Sequence, residues 1–394
     1  MHRFVPFLLT LLLIAAVLRV DFFFTIVYLF FGVYLLSRLW TRRIVEQLRV
    51  QRRFVERAFS GDRIAVDVTV ENLGWLPIPW LEVHETLPVQ LISPPFHRQV
   101  ISLGPYGRQI LRYTLHCRQR GYYPIGPLTM QTGDLLGIER RGVKQAAANH
   151  LIVYPRVVPL QGLGLPTHSP LAALPARSYL FEDPARVMGV RDYHPGDTPR
   201  RIHWTASAST GQLLVKQYQP AIARETLICL DLDQESYGRG QRYTATELGI
   251  VVAASIANHI ATSEGLPVGL ATEARDPISN DQAYFFLPPR SERAHLMSLL
   301  EVLGRVQVAS GAPFVELLRR ASMSLGWGAT LTVITGQESE ALFDTLAYLQ
   351  RAGFALALIL VQPEHSPAEL RKRADLLHIA AYRVWRERDL ETWP

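Results

Sequence analysis

Two apolar runs open the chain, Phe4–Leu18 and Phe22–Leu36, and a short break that contains Arg19 and Asp21 separates them. A single helix through both runs would place these two charges near the centre of a bilayer. That placement costs about 2.5–3.5 kcal/mol per charge. Two helices that meet at the charged residues avoid this cost. The pattern therefore predicts a transmembrane helical hairpin over residues 1–40.

Each apolar run has 15 residues, fewer than the ~20 that usually cross a bilayer as a helix. Tyr34, Trp40 and the neighbouring arginines are therefore expected to lie at the membrane interface and to lengthen each span. A cleaved signal peptide is the alternative for the first run. That run lacks a convincing small-residue cleavage site, and a second apolar run follows at once, which favours the hairpin.

Most arginine residues of this region lie at the two ends of the hairpin and not at its turn. Arg3 precedes the first run, and Arg38, Arg42, Arg43, Arg49, Arg52 and Arg53 follow the second. By the positive-inside rule both ends of the hairpin face the cytoplasm. The sequence thus predicts a multi-pass plasma-membrane protein with its soluble domains on the cytoplasmic side.

From Phe54 to about Pro155 the dominant hydrophobic period is two, which is typical of half-buried strands. Arg63–Val70 alternates and stops at the turn-forming residues 71–74. Several short strands at this spacing predict a small immunoglobulin-like β-sandwich, which together with a juxtamembrane segment fills residues 41–155. Residues from about Phe54 onward are predicted to stay soluble once the anchor is removed. The other strand-like runs are Leu81–Thr86, Val100–Leu103, Gln109–Cys117, Leu128–Thr132 and Leu151–Tyr154.

After a predicted linker and signature segment at 156–220, the pattern changes to apolar strands that alternate with longer helices. This alternation predicts a Rossmann-type α/β domain over 221–394, with a parallel sheet covered on both faces. Ligand sites in such sheets lie beyond the carboxyl ends of the strands. The rule directs attention to 231–235, after the first strand, and to Thr335 and Gly336 at the end of a later one.

The net charge of +6 is confined to the N-terminal region. Residues 1–63 contain ten arginines and four acidic residues, which gives 10 − 4 = +6, so the other residues sum to zero. The excess therefore forms a juxtamembrane collar and not a groove for phosphates, and no nucleic-acid partner is expected. The two cysteines, Cys117 and Cys229, lie in strand-like runs and are interpreted as small buried hydrophobic residues.

A dense pattern of residues occupies the segment from Arg191 to Leu213. It is similar to the signature of the bacterial family catalogued as domain of unknown function 58, R-x-Y-x-x-G-D-x-x-R-x-I-x-W-x-x-x-A-x-x-G-x-L. Residues 120–128 and 133–138 also resemble the end of that family's β-domain. The positions in register are Arg191, Tyr193, Gly196, Asp197, Arg200, Ile202, Trp204, Ala208, Gly211 and Leu213.

The resemblance carries several implications for fold and function. The family is described as having a von Willebrand factor A-like domain, which the C-terminal α/β domain of this chain would supply. Its genes often lie beside those for MoxR-type AAA+ ATPases. The resemblance therefore implies a membrane-tethered, non-enzymatic scaffold or adaptor that works with such an ATPase in the assembly or maturation of other proteins.

The resemblance also raises the question of a metal site. Von Willebrand factor A domains hold Mg²⁺ through Asp-x-Ser-x-Ser after the first strand, with a threonine and a later aspartate. Here the first motif places Asp231, Asp233 and Glu235 at its three positions, and Thr335 stands at the later one. Three carboxylates within five residues could hold Mg²⁺, because clustered like charges repel unless a cation intervenes. The alternative is a solvated acidic turn, and the sequence does not require a cofactor.

An enzyme of a different class is the second hypothesis. Asp231 and Asp233 after an apolar strand resemble the nucleophile and the general acid of Mg-dependent haloacid dehalogenase-like phosphatases. That chemistry also needs a lysine and a downstream acidic pair. After Thr335 the chain has Lys372 as its only lysine, and its aspartates there are isolated from one another. The sequence therefore favours the non-enzymatic adaptor.

The signature segment itself has two interpretations. In the first, its charged residues form a local ion-pair network, and Trp204 is the buried apolar anchor that docks the segment on the α/β domain. In the second, Arg191, Tyr193, Gly196, Asp197, Arg200, Trp204 and Gly211 contribute to a surface that binds a protein partner. The sequence alone favours the docking interpretation.

Overall fold

The structure is a computed structural model in which the chain divides into two compact units, Met1–Arg156 and Val157–Pro394. Most of the predicted first membrane helix and most of the predicted linker lie outside the described residues, as do Gly196 and Asp197. The residues described are 6, 10, 13, 21–92, 98–133, 140–160, 182–194, 199–220, 225–238, 240–310, 313–363, 373, 374, 376, 377 and 379–391.

The first described helix, α1, spans Asp21–Gln47 and is longer than the apolar run that predicts it. Its exposed large apolar side chains extend from Phe22 to Leu39. Eighteen residues at about 1.5 Å each span roughly 27 Å, close to the ~30 Å of a bilayer core. The segment Phe24–Gln47 is long and apolar enough to cross a membrane. This apolar helix is compatible with a membrane anchor.

The C-terminal part of α1 packs within the β-rich unit. Thr41 and Ile44 are buried, and Trp40 packs against the hydrophobic core of the strands. This contact of Trp40 with the core was not predicted from the sequence, and its place at a membrane interface stays a prediction. Helix α1 ends at Gln47, and the first strand of the β unit begins at Leu48 without a linker.

The described part of the first unit has eleven strands after α1, and most are antiparallel to their neighbours. Two four-stranded sheets have the orders β1-β3-β7-β5 and β10-β9-β4-β6, and a third has the order β2-β11-β8. The strands are β1 Leu48–Arg53, β2 Arg57–Phe59, β3 Arg63–Asn72, β4 Ile78–Glu85, β5 Leu91–Ile92, β6 Arg98–Leu103, β7 Arg108–Cys117, β8 Gly121–Ile125, β9 Leu128–Gly133, β10 Arg140–Ala146 and β11 Asn149–Tyr154.

Side-chain alternation explains the single core of this unit. Ile64, Val66 and Val68 on β3 point inward, and so do Leu81 and Val83 on β4. Residues from all three sheets form one hydrophobic cluster. The predicted β-rich region is thus observed as three small sheets around one core, antiparallel except for the pair of β2 and β11.

The first strand, β1, is an element that the alternation did not predict. Its sequence, LRVQRR, is mostly polar, yet it pairs with β3 from Leu48↔Asn72 to Arg53↔Asp67. Leu48 is fully buried in the core. The β unit therefore begins before Phe54, within the last turns of α1.

A buried polar cluster connects β1 to the other sheets. Arg52 forms an ion pair with Glu85 on β4, and both side chains are almost completely buried. The Tyr113 hydroxyl donates a hydrogen bond to Glu85 Oε2 at 2.6 Å, and Arg52 Nη1 donates to Asn149 Oδ1 at 2.8 Å. Burial and the neighbouring Glu85 carboxylate raise the pKa of Tyr113, which keeps its hydroxyl protonated as a donor.

The second unit begins where a linker is predicted. The backbone N–H of the buried Val158 donates to the Ser255 hydroxyl at 3.0 Å. The signature segment also has regular secondary structure. Its strands β12 Glu182–Asp192 and β13 Leu214–Pro220 form an antiparallel pair. A short helix, α2 Trp204–Thr210, lies between these strands in the sequence.

A six-stranded sheet forms the rest of the unit, in the order β16-β15-β14-β17-β18-β19. All its neighbouring pairs are parallel except β15 and β16. The edge strands β16 and β19 are elements that the sequence analysis did not predict. The strands are β14 Thr226–Leu230, β15 Val268–Arg275, β16 Gln282–Arg290, β17 Thr330–Thr335, β18 Ala355–Val361 and β19 Ala380–Val384.

Helices cover both faces of this sheet, as the continuous apolar strands require. Helices α3 Arg242–His259, α4 Arg293–Arg305, α5 Phe314–Ser322, α6 Glu340–Arg351 and α7 Arg388–Glu391 are described. Alternate side chains of β14, β17 and β18 form one cluster with α5 and α6, while Gly249 of α3 lies beside Leu230 and Ile334. The segment Arg242–Glu264 is also apolar enough to span a membrane, but 72% of it is buried in this unit, as expected for a core helix.

Candidate functional site

The reversal of strand order in the sheet lies between β14 and β17. From β14 the chain moves outward to β15 and β16, and it then returns to β17 on the other side of β14. Crevices at such reversals, beyond the carboxyl ends of the strands, are where open α/β sheets bind ligands. Asp231 directly follows β14, and Thr335 ends β17. The two positions singled out from the sequence therefore meet at the reversal.

Asp231 is buried, and donors from the protein surround its carboxylate. Oδ2 accepts hydrogen bonds from Thr335 Oγ1 at 2.7 Å and from Gln337 Nε2 at 3.2 Å. Oδ1 accepts from the backbone N–H of Asp233 at 3.0 Å, and the Ser236 side chain also bonds the carboxylate. The carboxylate is thus satisfied by neighbouring residues on both oxygens.

An aromatic side chain fills the space beside this carboxylate. Tyr237 is buried, and its hydroxyl donates to the Asp231 carbonyl oxygen at 2.6 Å. Its ring lies against Gly336, where a Cβ atom would come within 2.4 Å of it, so only glycine fits there. The cavity next to Asp231 and Asp233 has a volume of about 10 Å³, which accommodates one water at most. The crevice is therefore closed by the protein itself.

Burial raises the pKa of Asp231 to about 6, although the hydrogen bonds from Thr335, Ser236, Asp233 and Gln337 act in the opposite direction. Desolvation disfavours the ionised form of a carboxyl group more strongly here than the donors favour it. Asp231 therefore takes up a proton in the folded protein at a pH at which an unfolded chain stays ionised.

This shift predicts a pH-dependent stability that depends on Asp231. The folded-state pKa of Asp231 is above the usual 3.8. The stability that the protonated side chain adds to the folded protein is therefore fully present below about pH 4 and is lost as the pH rises through 6. Relative to Asp231→Asn, the wild-type protein is expected to lose roughly 2–3 kcal/mol of unfolding free energy between pH 4 and pH 7. Urea unfolding at both pH values measures this difference.

The matched control is Asp344→Asn, which changes an exposed carboxylate on α6 of the same unit. Its unfolding free energy is expected to follow that of the wild-type protein at every pH. A difference between wild type and Asp231→Asn that stays constant from pH 4 to pH 7 would contradict the prediction.

The three predicted carboxylates do not form one cation site. Asp233 Oδ1 accepts from the Glu235 backbone N–H at 3.3 Å and caps the short 3-10 turn at 234–236, and Glu235 is exposed. Within the described part of the chain, no three His, Cys, Asp or Glu side chains are grouped so that they could hold a metal ion. Asp231, Asp233 and Glu235 diverge because Asp231 is bonded to β17 residues while Asp233 caps the turn.

The same geometry bears on the phosphatase hypothesis. A nucleophilic carboxylate must reach a phosphorus atom, but the Asp231 oxygens bond Thr335, Gln337 and the Asp233 backbone inside a closed crevice. The cavity has no room for a phosphate group. This arrangement supports a structural role for Asp231, which ties β14 to β17.

The second candidate region is the signature segment. The Tyr193 backbone N–H donates to the Leu213 carbonyl at 2.9 Å and continues the ladder of β12 and β13. Arg191 is exposed, and its Nη1 donates to the Asp192 carbonyl at 3.1 Å. Gly211 ends α2 in the left-handed conformation with φ 72°, a position that favours glycine.

Trp204 is not the buried anchor of the docking interpretation. It is the first residue of α2, and 67% of its surface is exposed. The apolar contacts of the segment are made instead by Ile202 and Val215, which are buried and paired. The docking interpretation of Trp204 is therefore wrong.

Several residues that complete these sites were missed in the sequence. Ser236, Tyr237 and Gln337 close the crevice, and His203 caps α2 by accepting from the Ala206 backbone N–H at 3.1 Å. Gln337 lies two residues after the noted Thr335, which was the one available signal. The others depend on how the loop after β14 folds back, which no local pattern encodes.

Comparisons with known proteins agree with the signature. Residues 189–325 match the sequence model of the family described as protein of unknown function DUF58, which confirms the resemblance predicted from the signature. The uncharacterized protein YeaD of Bacillus subtilis is 23% identical over 335 residues, and the match covers 81% of this chain and 76% of that protein.

Solved structures align with separate parts of the chain. A von Willebrand factor type A structure from Catenulispora acidiphila covers 45% of this chain and 42% of its own, with 13% identity and a TM-score of 0.30. The CARDB domain of a Pyrococcus furiosus protein covers 27% of this chain and 86% of its own, with 19% identity and a TM-score of 0.22.

Proposed function

From the DUF58 match, we propose that this protein is a membrane-anchored, non-enzymatic adaptor whose α/β unit binds another protein through the signature segment. The observation that carries the proposal is the exposure of Trp204 within the signature. A large aromatic ring on the surface is a common centre of binding energy in protein interfaces.

The signature positions divide into two groups by burial. Ile202 is buried and holds the segment together, whereas Trp204, Ala208, Gly211 and Leu213 are exposed. Trp204 and Ala208 are four residues apart on α2, which places them on one side of the helix, and Gly211 follows at its end. Small residues beside the tryptophan allow the backbone of a partner to approach closely. We call Trp204, Ala208, Gly211 and Leu213 the signature face.

The closed crevice supports an adaptor more than an enzyme. Asp231 is bonded by its neighbours, Tyr237 packs against Gly336 beside it, and the adjoining cavity of about 10 Å³ accommodates one water at most. We assign the α/β unit to the von Willebrand factor A-like type on its strand order, and the β unit to the immunoglobulin-like type on its mostly antiparallel sheets around one core. In this assignment the fold holds the protein-binding surface in place and carries out no catalysis.

The proposed partner is a MoxR-type AAA+ ATPase, as the family resemblance implies, with a role in protein assembly or maturation. Trp204→Ala is expected to change the unfolding free energy by less than about 0.5 kcal/mol, because the side chain is exposed. The same change is expected to weaken capture of the purified ATPase by about tenfold or more. Pull-down at graded ATPase concentrations, with thermal melts in parallel, measures both effects.

Ile202→Ala is the matched control from the same segment. Its side chain is buried, so this change is expected to cost about 2–5 kcal/mol of stability. Capture of the ATPase by Trp204→Ala at wild-type strength would exclude the signature face as the interface. A Trp204→Ala variant as unstable as Ile202→Ala would restore the docking interpretation.

The anchor is proposed to be a two-helix hairpin that leaves both soluble units in the cytoplasm. The proposal rests on the arginine collar and on the break at Arg19 and Asp21. A reporter fused after Pro394 is expected to behave as cytoplasmic, and one inserted at Val20 as external. An external signal from the fusion after Pro394 would refute this orientation.

A further inference from the structure

A groove lies at the carboxyl ends of β18 and β19 and shares no lining residue with the closed crevice. Its volume is about 560 Å³, within the range of 300–1,000 Å³ that is typical of ligand sites. Gln362 follows the last residue of β18, and Trp385 follows the last residue of β19. The groove is lined by Gln241, Gln362, Trp385, Arg386 and Asp389.

The Gln362 side chain leaves an acceptor without a donor. Its backbone has φ 49°, in the left-handed region that non-glycine residues rarely adopt. Nε2 donates to the Trp385 carbonyl at 3.2 Å, and this bond holds the amide in place. Oε1 is buried and has no hydrogen-bond partner among the described residues. Buried acceptors are nearly always paired, so a donor from a bound molecule suits this position.

The turn after β19 is held by side-chain hydrogen bonds and presents both an aromatic ring and a cation. Asp389 Oδ2 accepts from the backbone N–H groups of Trp385 at 2.7 Å and Arg386 at 2.9 Å. The Arg383 guanidinium carbon lies over the Trp385 ring, 5.6 Å from the ring centroid. Even so, 44% of the Trp385 surface is exposed, and Arg386 is exposed as well. The ring is therefore held in position while part of it stays open to a ligand.

We propose that this groove binds a peptide segment of a partner protein that carries an aromatic or aliphatic residue next to a carboxylate side chain. A backbone N–H of the peptide would donate to Gln362 Oε1, its apolar side chain would pack on Trp385, and its carboxylate would pair with Arg386. A nucleotide suits the groove less well, since Arg386 and Asp389 together carry no net charge to offset several phosphates. The proposal rests on the proposed function in one respect, that the α/β unit recognises proteins.

The test uses the full-length protein in detergent micelles, labelled with 5-fluorotryptophan and observed by ¹⁹F NMR. Trp385→Phe assigns the resonance of Trp385 among the seven tryptophans. The probe is acetyl-Ala-Phe-Glu-Ala-amide. Its control is acetyl-Ala-Phe-Gln-Ala-amide, which has nearly the same shape but no charged side chain. A saturable shift of the Trp385 resonance is expected with the first peptide. Binding is expected to be about tenfold weaker for the second peptide or for Arg386→Gln.

Arg388→Gln is the matched control, because Arg388 is exposed on the next turn of the chain and does not line the groove. It is expected to bind the peptide like the wild-type protein. The absence of a saturable shift, an equal loss of binding in both arginine variants, or a larger shift with AMP than with the peptide would overturn the proposal. Peptide binding without ATPase capture would refute the proposed partner and leave the groove assignment standing, and capture without peptide binding would do the reverse.

Discussion

Replacing Glu85 by alanine is expected to lower the free energy of unfolding of the β unit by about 3–5 kcal/mol. The Glu85 carboxylate lies between Arg52 and the Tyr113 hydroxyl in the interior of the unit. Without it, the Arg52 guanidinium stays buried with only Asn149 and a backbone carbonyl as acceptors. An unpaired buried charge costs far more than the pair itself contributes.

Urea unfolding followed by tryptophan fluorescence measures the effect in the full-length protein. The control is Asp67→Asn, which breaks the exposed pair with Arg112 on neighbouring strands of the same sheet. The Arg112 guanidinium lowers the pKa of Asp67, but water screens this pair, so little loss of stability is expected. The double change Arg52→Met with Glu85→Leu is expected to recover most of the loss, because it removes both buried charges. Equal stability of Glu85→Ala and Asp67→Asn would contradict the prediction.

Expression of the chain from Phe54 onward is expected to give insoluble protein, whereas a chain that begins at Ser37 is expected to be soluble. This reverses the prediction made from the sequence alone. The shorter chain lacks β1 and the end of α1, and with them the buried Ile44 and Leu48. It also lacks Arg52, so Glu85 would be buried without its cation.

The magnitude of this loss exceeds what a small domain tolerates. Truncating a single buried leucine or isoleucine costs about 2–5 kcal/mol, and breaking a buried ion pair costs about 3–5 kcal/mol. Typical domains have only about 5–15 kcal/mol of stability in total. Deletion of β1 also leaves β3 as an open edge, which promotes aggregation.

The soluble fraction, size-exclusion profile and thermal melt of the two chains decide between these outcomes. The chain from Ser37 keeps Trp40, Thr41 and Ile44 and is the matched control. A chain from Phe54 that is soluble and melts cooperatively would show that β1 is dispensable. Aggregation of both chains would show that the β unit needs the membrane part of α1 as well.

Local patterns predicted the elements whose apolar faces repeat regularly. The alternation of Arg63–Val70 became β3, and the apolar run of Thr330–Thr335 became β17 with every residue buried. The period of two and the longer helical periods were sufficient to separate the β unit from the α/β unit. Elements without such a pattern, β1 and the edge strands β16 and β19, were missed because their side chains are mixed or only partly buried.

The position of Asp231 could be predicted in part. Its place after an apolar strand and that of Thr335 at the end of another followed from the sheet rule. Their contact at 2.7 Å joins residues 104 apart in the chain, which depends on the order of the strands. The loop that brings Ser236 and Tyr237 into the crevice has no periodicity, so the closure was not predictable.

By itself the sequence determined the apolar N-terminal helix, the β-rich and α/β character of the two units, the location of the basic residues and the family signature. The tertiary structure alone decided that Trp204 faces solvent, that the carboxylates of Asp231, Asp233 and Glu235 diverge, and that Arg52 is paired inside the β unit. The physical reason is that periodicity reports which face of an element is apolar. Whether a polar or aromatic side chain is buried depends on partners that lie far away in the chain.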